Sequence, residues 1–208
     1  MTGNNLPDLI YQDDSLLVVN KSAGLLAVPG RGPDKQDCLS ARLQQVFPDA
    51  LVVHRLDMAT SGLMMFARGA GMQRRFSQMF QEREVGKRYI AVVSGKPEQE
   101  VGEISLPLVC DWPNRPKQMV DHGLGKPSLT RYRLLGMESR NSRLELEPIT
   151  GRTHQLRVHL AAIGHPILGD ALYGDASSAS RLLLHACSLS LNHPVSGDPL
   201  NFASPAPF

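Results

Sequence analysis

Residues Ala50–Ala67 read ALVVHRLDMATSGLMMFA. An apolar run, Leu51 to Val53, gives way to His54-Arg55-Leu56-Asp57, where three of the four residues are charged or titratable. The small residues Ala59, Thr60, Ser61 and Gly62 follow before a second apolar run resumes at Leu63. Short apolar runs bounded by polar and small residues read as strands, so the stretch is strand, polar loop, strand. Side chains alternate across an extended chain, which puts Arg55 and Asp57 on one side of it. Such a cluster can be a strand-end ion pair worth about 0–1 kcal/mol when exposed. It can equally be a functional loop held between two strands.

Upstream, LIYQDDSLLVVNK predicts two short strands joined by a turn at Asp13-Asp14, followed by the Gly/Pro-rich loop SAGLLAVPGRGPD. Asp37 is placed to cap a helix whose apolar positions are Leu39, Leu43, Val46 and Phe47, ended by Pro48 and Asp49. Downstream, a second helix is expected from about Met72 to Glu84, burying Met72, Phe76, Met79 and Phe80. RYIAVVSG reads as a strand and PLVCDWPNRPKQMVDHGLGKP as an extended excursion. LTRYRLLGM and the strictly alternating SRLELEPI are consecutive strands. THQLRVHLAAIG predicts a helix with Leu156, Leu160 and Ile163 inward and Gly164 past its end. RLLLHACSLSL is a further strand. Hairpin-like strands with interspersed helices predict one α+β domain over residues 1–208, built on a mixed, mainly antiparallel sheet with flanking helices.

The chain has 208 residues, 42% hydrophobic and 20% charged, with mean hydropathy −0.18, which is ordinary for a soluble globular domain. No apolar run approaches the roughly 20 residues of a membrane span, and MTGNNLPDLI has neither part of a secretory leader. Cys38, Cys110 and Cys187 are scattered and odd in number. That argues for a reducing compartment, the cytoplasm by default, and against a disulfide framework or structural zinc. The net charge is only +2, but it is segregated. Arg68 to Arg88 holds six Lys or Arg against two Glu, and Trp112 to Arg133 holds five against one Asp. This distribution fits either a basic face for a polyanion or a set of solvated surfaces.

A second polar cluster is TGRTHQLRVH, Thr150 to His159. Gly151 before a capping Thr153 predicts a helix N-terminus, whose free N–H groups suit an anion such as phosphate. Arg152, His154, Gln155 and Arg157 crowd donors into its first turns. Metal chemistry is disfavoured, because His154 and His159 are five apart and do not share a helix face, and no HExxH occurs. There is no GxSxG elbow, phosphate loop or dinucleotide fingerprint.

HRLDMATSGL, KRYIAVVSG, PITGRTHQLRVHLAAIGHPILGDALYG and RLLLHA, in that order, closely resemble the RluA family of pseudouridine synthases. The resemblance runs from about Tyr11 to Phe202. CDWPNRPKQ and the short chain look like the compact subgroup that modifies both tRNA and large-subunit ribosomal RNA. The matching pattern begins near Leu9, so no N-terminal RNA-binding domain of the S4 type is expected.

The resemblance implies that uridine is detached at its N1–C1′ bond, turned, and rejoined through C5, with no metal, nucleotide or redox cofactor. It assigns the catalytic carboxylate to Asp57, a pairing guanidinium to Arg157, and to Tyr89 a ring that stacks on the extracted uracil. Whether the carboxylate attacks sugar or base, or abstracts a sugar proton, stays open. A stacked base must leave its stack before reacting, and Arg55, two residues from Asp57, is placed to fill the vacated space or hold the flanking strand. His54, Arg152 and His154 are candidate contacts to phosphate or nucleotide, and Leu183 and Leu184 candidate pocket walls. Lys21, Arg31, Arg115, Lys117 and Lys126 are candidate RNA-backbone contacts by charge alone. The expected partners are tRNA and large-subunit rRNA stem-loops, met by a monomer without membrane association. A non-catalytic RNA-binding protein and a hydrolytic glycosylase are the competing readings.

Overall fold

The computed structural model describes residues 7–208. The opening MTGNNL, part of the leader reading above, lies outside the described residues. In chain order the elements are β1 (Asp8–Gln12), β2 (Leu16–Lys21), α1 (Leu39–Gln44), β3 (Ala50–Val52), β4 (Ser61–Arg68), α2 (Gly69–Glu82) and β5 (Gly86–Ser94). They continue as β6 (Val101–Ser105), β7 (Leu108–Cys110), β8 (Gln118–Val120), β9 (Leu129–Glu138), β10 (Asn141–Pro148), α3 (Gln155–Ala162), β11 (Leu184–Asn192) and β12 (Pro199–Ala203). The architecture is α+β. Residues 7–87 with Ala186–Pro207 form one compact unit, and Arg88–His185 with Phe208 form another.

In the first unit β2 pairs antiparallel with β1 and β4, β3 with β4, and β11 with β12. The β1–β2 turn forms because Asp13 Oδ1 accepts the N–H groups of Ser15 (2.7 Å) and Leu16 (2.8 Å). Leu16–Val19 and Leu63–Ala67 are fully buried, so both faces of β2 and β4 are covered. That explains why they read as unbroken apolar runs rather than alternating ones. Leu16, Val18, Leu63 and Met65 pack with Phe76 and Met79 of α2 and with Leu189 and Leu191 of β11. Cutting a phenylalanine such as Phe76 back to Ala in such a core costs about 3–5 kcal/mol. Gly62 is required where it stands: its φ is +114°, and a Cβ there would run into the backbone of Ala186.

In the second unit β10 pairs antiparallel with β5 and β9, and β9 with β6. β10 alternates between buried and half-buried positions along its whole length. Arg88 and Arg133 both pair with Glu145 on the half-exposed side, at 2.7 and 3.0 Å. The extended excursion contains a small β7–β8 hairpin.

Two helix starts differ from expectation. Cys38, not Asp37, occupies the N-cap of α1, and its sulfur accepts from the Ala41 N–H. Asp37 instead makes a bidentate pair with Arg42, at 2.7 Å for each bond. The N-cap of α3 is His154, not Thr153. It adopts a left-handed conformation (φ 54°) with no side-chain cap. Helix α2 stops two residues early because Arg83 turns left-handed (φ 65°) and its N–H returns to Met79 and Phe80 carbonyls.

Candidate functional site

In the first unit, Asp57 lies half-buried in the loop between β3 and β4. The loop turns on a Thr60 N–H to Asp57 carbonyl bond of 3.1 Å. The next carbonyl, that of Met58, accepts from the Gly24 N–H at 2.8 Å and from Lys21 Nζ at 3.0 Å. Lys21 is 1% exposed and also donates to the carbonyls of Ser22 (2.9 Å) and Leu25 (2.7 Å). A buried ammonium spread over three carbonyls is a loop fastener. The expected phosphate contact at Lys21 is therefore corrected.

His54 is also turned to an internal task. Its Nε2 accepts the Met65 N–H of β4 at 2.9 Å, and its ring lies 4.6 Å from that of Phe80. Burial, with help from the Lys87 charge, pushes its pKa down to about 3, so the imidazole is neutral and can accept. Arg55 and Arg31 are exposed, and Arg55 stands two residues from Asp57.

In the second unit, Tyr89 sits half-buried on β5 opposite Leu146. Arg157 projects from α3 and is gripped by a residue the sequence reading did not single out. Its Nε and Nη2 donate to the two carboxylate oxygens of Asp170, at 2.8 and 2.7 Å, with both side chains almost wholly buried. Asp170 Oδ1 also accepts the N–H groups of Leu172 and Tyr173. Burial pushes the Asp170 carboxyl up. The Arg157 bonds and charge, with the two backbone donors, outweigh that and hold it below the ordinary carboxylate range. The turn before it depends on Gly169 (φ 71°), where a Cβ would strike the Arg181 carbonyl.

Tyr173 extends this cluster. The Arg157 guanidinium lies 5.2 Å over its ring, and its hydroxyl bonds His154 Nδ1 at 2.7 Å while accepting the Gln118 N–H at 2.8 Å. At the other side of the helix start, Gln155 accepts from Thr150 Oγ1 and the Arg152 N–H, and donates to the Leu129 carbonyl and Thr130 Oγ1. Thr130 in turn meets His159 Nδ1 at 2.9 Å, and His159 Nε2 meets the Leu106 carbonyl at 3.0 Å. The bonds close consistently if Thr130 donates and His159 carries its proton on Nε2. Leu184 is buried and Leu183 half-buried, Arg152, Arg115 and Lys126 are exposed, and Lys117 is half-buried. His154, Arg157, Asp170 and Tyr173 are thus brought together. A local signal for the missed pair was LGDALY, a lone acid between a turn glycine and an aromatic.

The profile of the RNA pseudouridylate synthase family matches residues 15–162, a span that holds Asp57, Tyr89 and Arg157. This chain belongs to the RNA pseudouridylate synthase family. Membership makes RNA the substrate and base isomerisation the reaction. The chain is 48% identical over 204 residues to the dual-specificity RNA pseudouridine synthase RluA of Escherichia coli K12, covering 96% of this chain and 93% of that protein. It is 50% identical to the protein of the same name from Yersinia pestis, over 96% and 99% of the two chains. Among solved structures, human RNA pseudouridylate synthase domain containing 1 superposes with a TM-score of 0.80 at 30% identity, covering 100% of this chain and 87% of that one.

Proposed function

We propose that this synthase acts on a uridine in the tRNA anticodon loop and on one in a large-subunit rRNA hairpin, with Asp57 as its catalytic carboxylate. The reading of its targets rests on the dual-specificity relatives and on the CDWPNRPKQ stretch. The Asp57 carboxylate initiates breakage of N1–C1′, uracil turns, and C5 bonds to C1′. The C5 proton leaves and N1 gains one, so nothing is consumed. Arg157 takes the role of the guanidinium that the resemblance assigns as partner to the catalytic carboxylate. Tyr89 stacks on the base, and its hydroxyl assists removal of the C5 proton. Arg55 occupies the space the base vacates, while His154 and Arg152 serve the nucleotide or its phosphate. The whole of 1–208 works as one catalytic domain, as a monomer in the cytoplasm.

One observation supports the role of Asp57: the carbonyl of its neighbour Met58 is pinned by both the Lys21 ammonium and the Gly24 N–H. A reacting group must be held in place to react efficiently. The test is pseudouridine mapping of an anticodon stem-loop and an rRNA hairpin treated with wild type and Asp57→Asn. The variant is expected to fold, to bind RNA and to form no product. Normal turnover by folded Asp57→Asn would remove Asp57 from the mechanism, and release of free uracil by wild type would favour hydrolysis.

A further inference from the structure

The segment Asp111–Lys117, DWPNRPK, closes the β7–β8 hairpin and carries the chain's single tryptophan. Trp112 is 67% exposed, an unusual position for the largest apolar side chain. It is held all the same. The Arg115 guanidinium lies 4.3 Å over its ring, which places a cation against one face of the indole. With two thirds of the residue exposed, indole surface remains available to a ligand beside the Arg115 contact.

The loop beneath it is rigidly framed. The Asp111 N–H donates to the Lys117 carbonyl (3.0 Å), Asn114 N–H to the Asp111 carbonyl (3.1 Å) and Lys117 N–H to the Asn114 carbonyl (3.0 Å). Asn114 Nδ2 further ties down the Asp111 carboxylate, at 3.1 and 3.0 Å. At its root the Gln118 N–H is fixed to the Tyr173 hydroxyl, the same group that meets His154 and whose ring lies under Arg157. The ledge is therefore bolted to the start of α3 within one unit. Two more cations, Lys117 and Lys126, belong to the same excursion. Its second carboxylate, Asp121, is occupied by the N–H groups of Gly123 and Leu124.

We propose that Trp112 is a stacking platform for an unpaired base of the RNA loop, with Arg115 as the positioning residue that fixes the indole. An aromatic face reads any base by its π surface, and single-stranded RNA is generally gripped by such faces combined with nearby cations. A preorganised ring loses little rotamer freedom on binding. The platform adds affinity for a loop with an unstacked base and none for a plain duplex. This inference rests on RNA being the substrate.

Because Trp112 is the only tryptophan, its emission reports directly on the platform. The experiment titrates wild type with an anticodon stem-loop and, separately, with a fully paired duplex of the same stem. Binding is read independently by fluorescence anisotropy of an end-labelled RNA. Saturable change in tryptophan emission with the stem-loop, weaker or absent with the duplex, is expected. Trp112→Ala should weaken stem-loop binding about ten- to a hundred-fold, Trp112→Phe should restore most of it, and both should keep the unfolding temperature of wild type. Anisotropy showing tight binding with no change in emission, or wild-type affinity in Trp112→Ala, would overturn the platform while leaving the enzymatic reading intact. No binding of either RNA by wild type would instead defeat RNA recognition itself, and the platform with it.

Discussion

Asp170 grips Arg157 through both carboxylate oxygens, and the pair is buried almost completely, at 0% and 6% side-chain exposure. Charges out of water repay their desolvation only when each has its partner. The pair therefore sets the orientation of Arg157 before any substrate arrives. Asp170→Asn or Arg157→Met alone should cost about 3–5 kcal/mol, because each leaves an uncompensated polar partner. Arg157→Met with Asp170→Leu should recover much of that stability without restoring turnover. Urea unfolding and pseudouridine formation, measured on all three, separate the two contributions. Equal stability of single and double variants would argue against an energetically coupled pair.

The neutral His54 makes stability depend on pH. Its folded pKa of about 3 lies below the ordinary 6.5, so the unfolded chain binds the extra proton first. Its contribution is complete above about pH 6.5 and declines as pH falls toward 3, with an upper bound of about 5 kcal/mol at 1.36 kcal/mol per pH unit. Asp170, whose carboxyl is held low, adds a loss only below the ordinary carboxylate pKa near 4. His54→Gln retains an acceptor for the Met65 N–H but does not titrate. Its unfolding free energy should therefore vary less with pH between 4 and 6 than that of wild type; an unchanged slope there would count against His54.

Lys21→Met keeps the length of the side chain and removes the ammonium. Each carbonyl left unsatisfied costs about 1–3 kcal/mol. Turnover should fall as the loop carrying Asp57 loosens, while RNA affinity and its log–log dependence on salt stay near wild type. Loss of a phosphate contact would instead shift that slope by about 0.7, and such a shift would return Lys21 to the RNA.

Tyr89→Phe and Tyr89→Leu separate ring from hydroxyl. Phe should lower turnover with little loss of affinity, whereas Leu should lower both. If stem-loop affinity is the same for wild type and the Leu variant, the ring does not stack.

Much of the fold was legible where a single face is buried. The alternation of Ser142 to Pro148 follows the burial of β10 residue by residue. Leu16–Val19 and Leu63–Ala67 were equally clear, since two covered faces require unbroken apolar runs. β6 was missed because it buries one side chain, Ile104, and so has almost no pattern to read. β12 was missed for a related reason, having no buried position at all. The motifs singled out Asp57 and Arg157 as candidates. Charge alone, however, could not separate Lys21, buried against carbonyls, from the exposed Lys126. Asp170 stands 13 residues from Arg157, and only the turn at Gly169 brings it back. Periodicity carries no signal for such a pairing.

The Tyr173 hydroxyl, shared by the Gln118 amide and His154, has a kinetic consequence. The Gln118 amide proton can exchange with solvent only when that oxygen lets go. Its deuterium uptake is therefore a clock for the start of α3 as much as for the hairpin. RNA that steadies the hairpin should slow this amide without touching it, and Tyr173→Phe should let it run free.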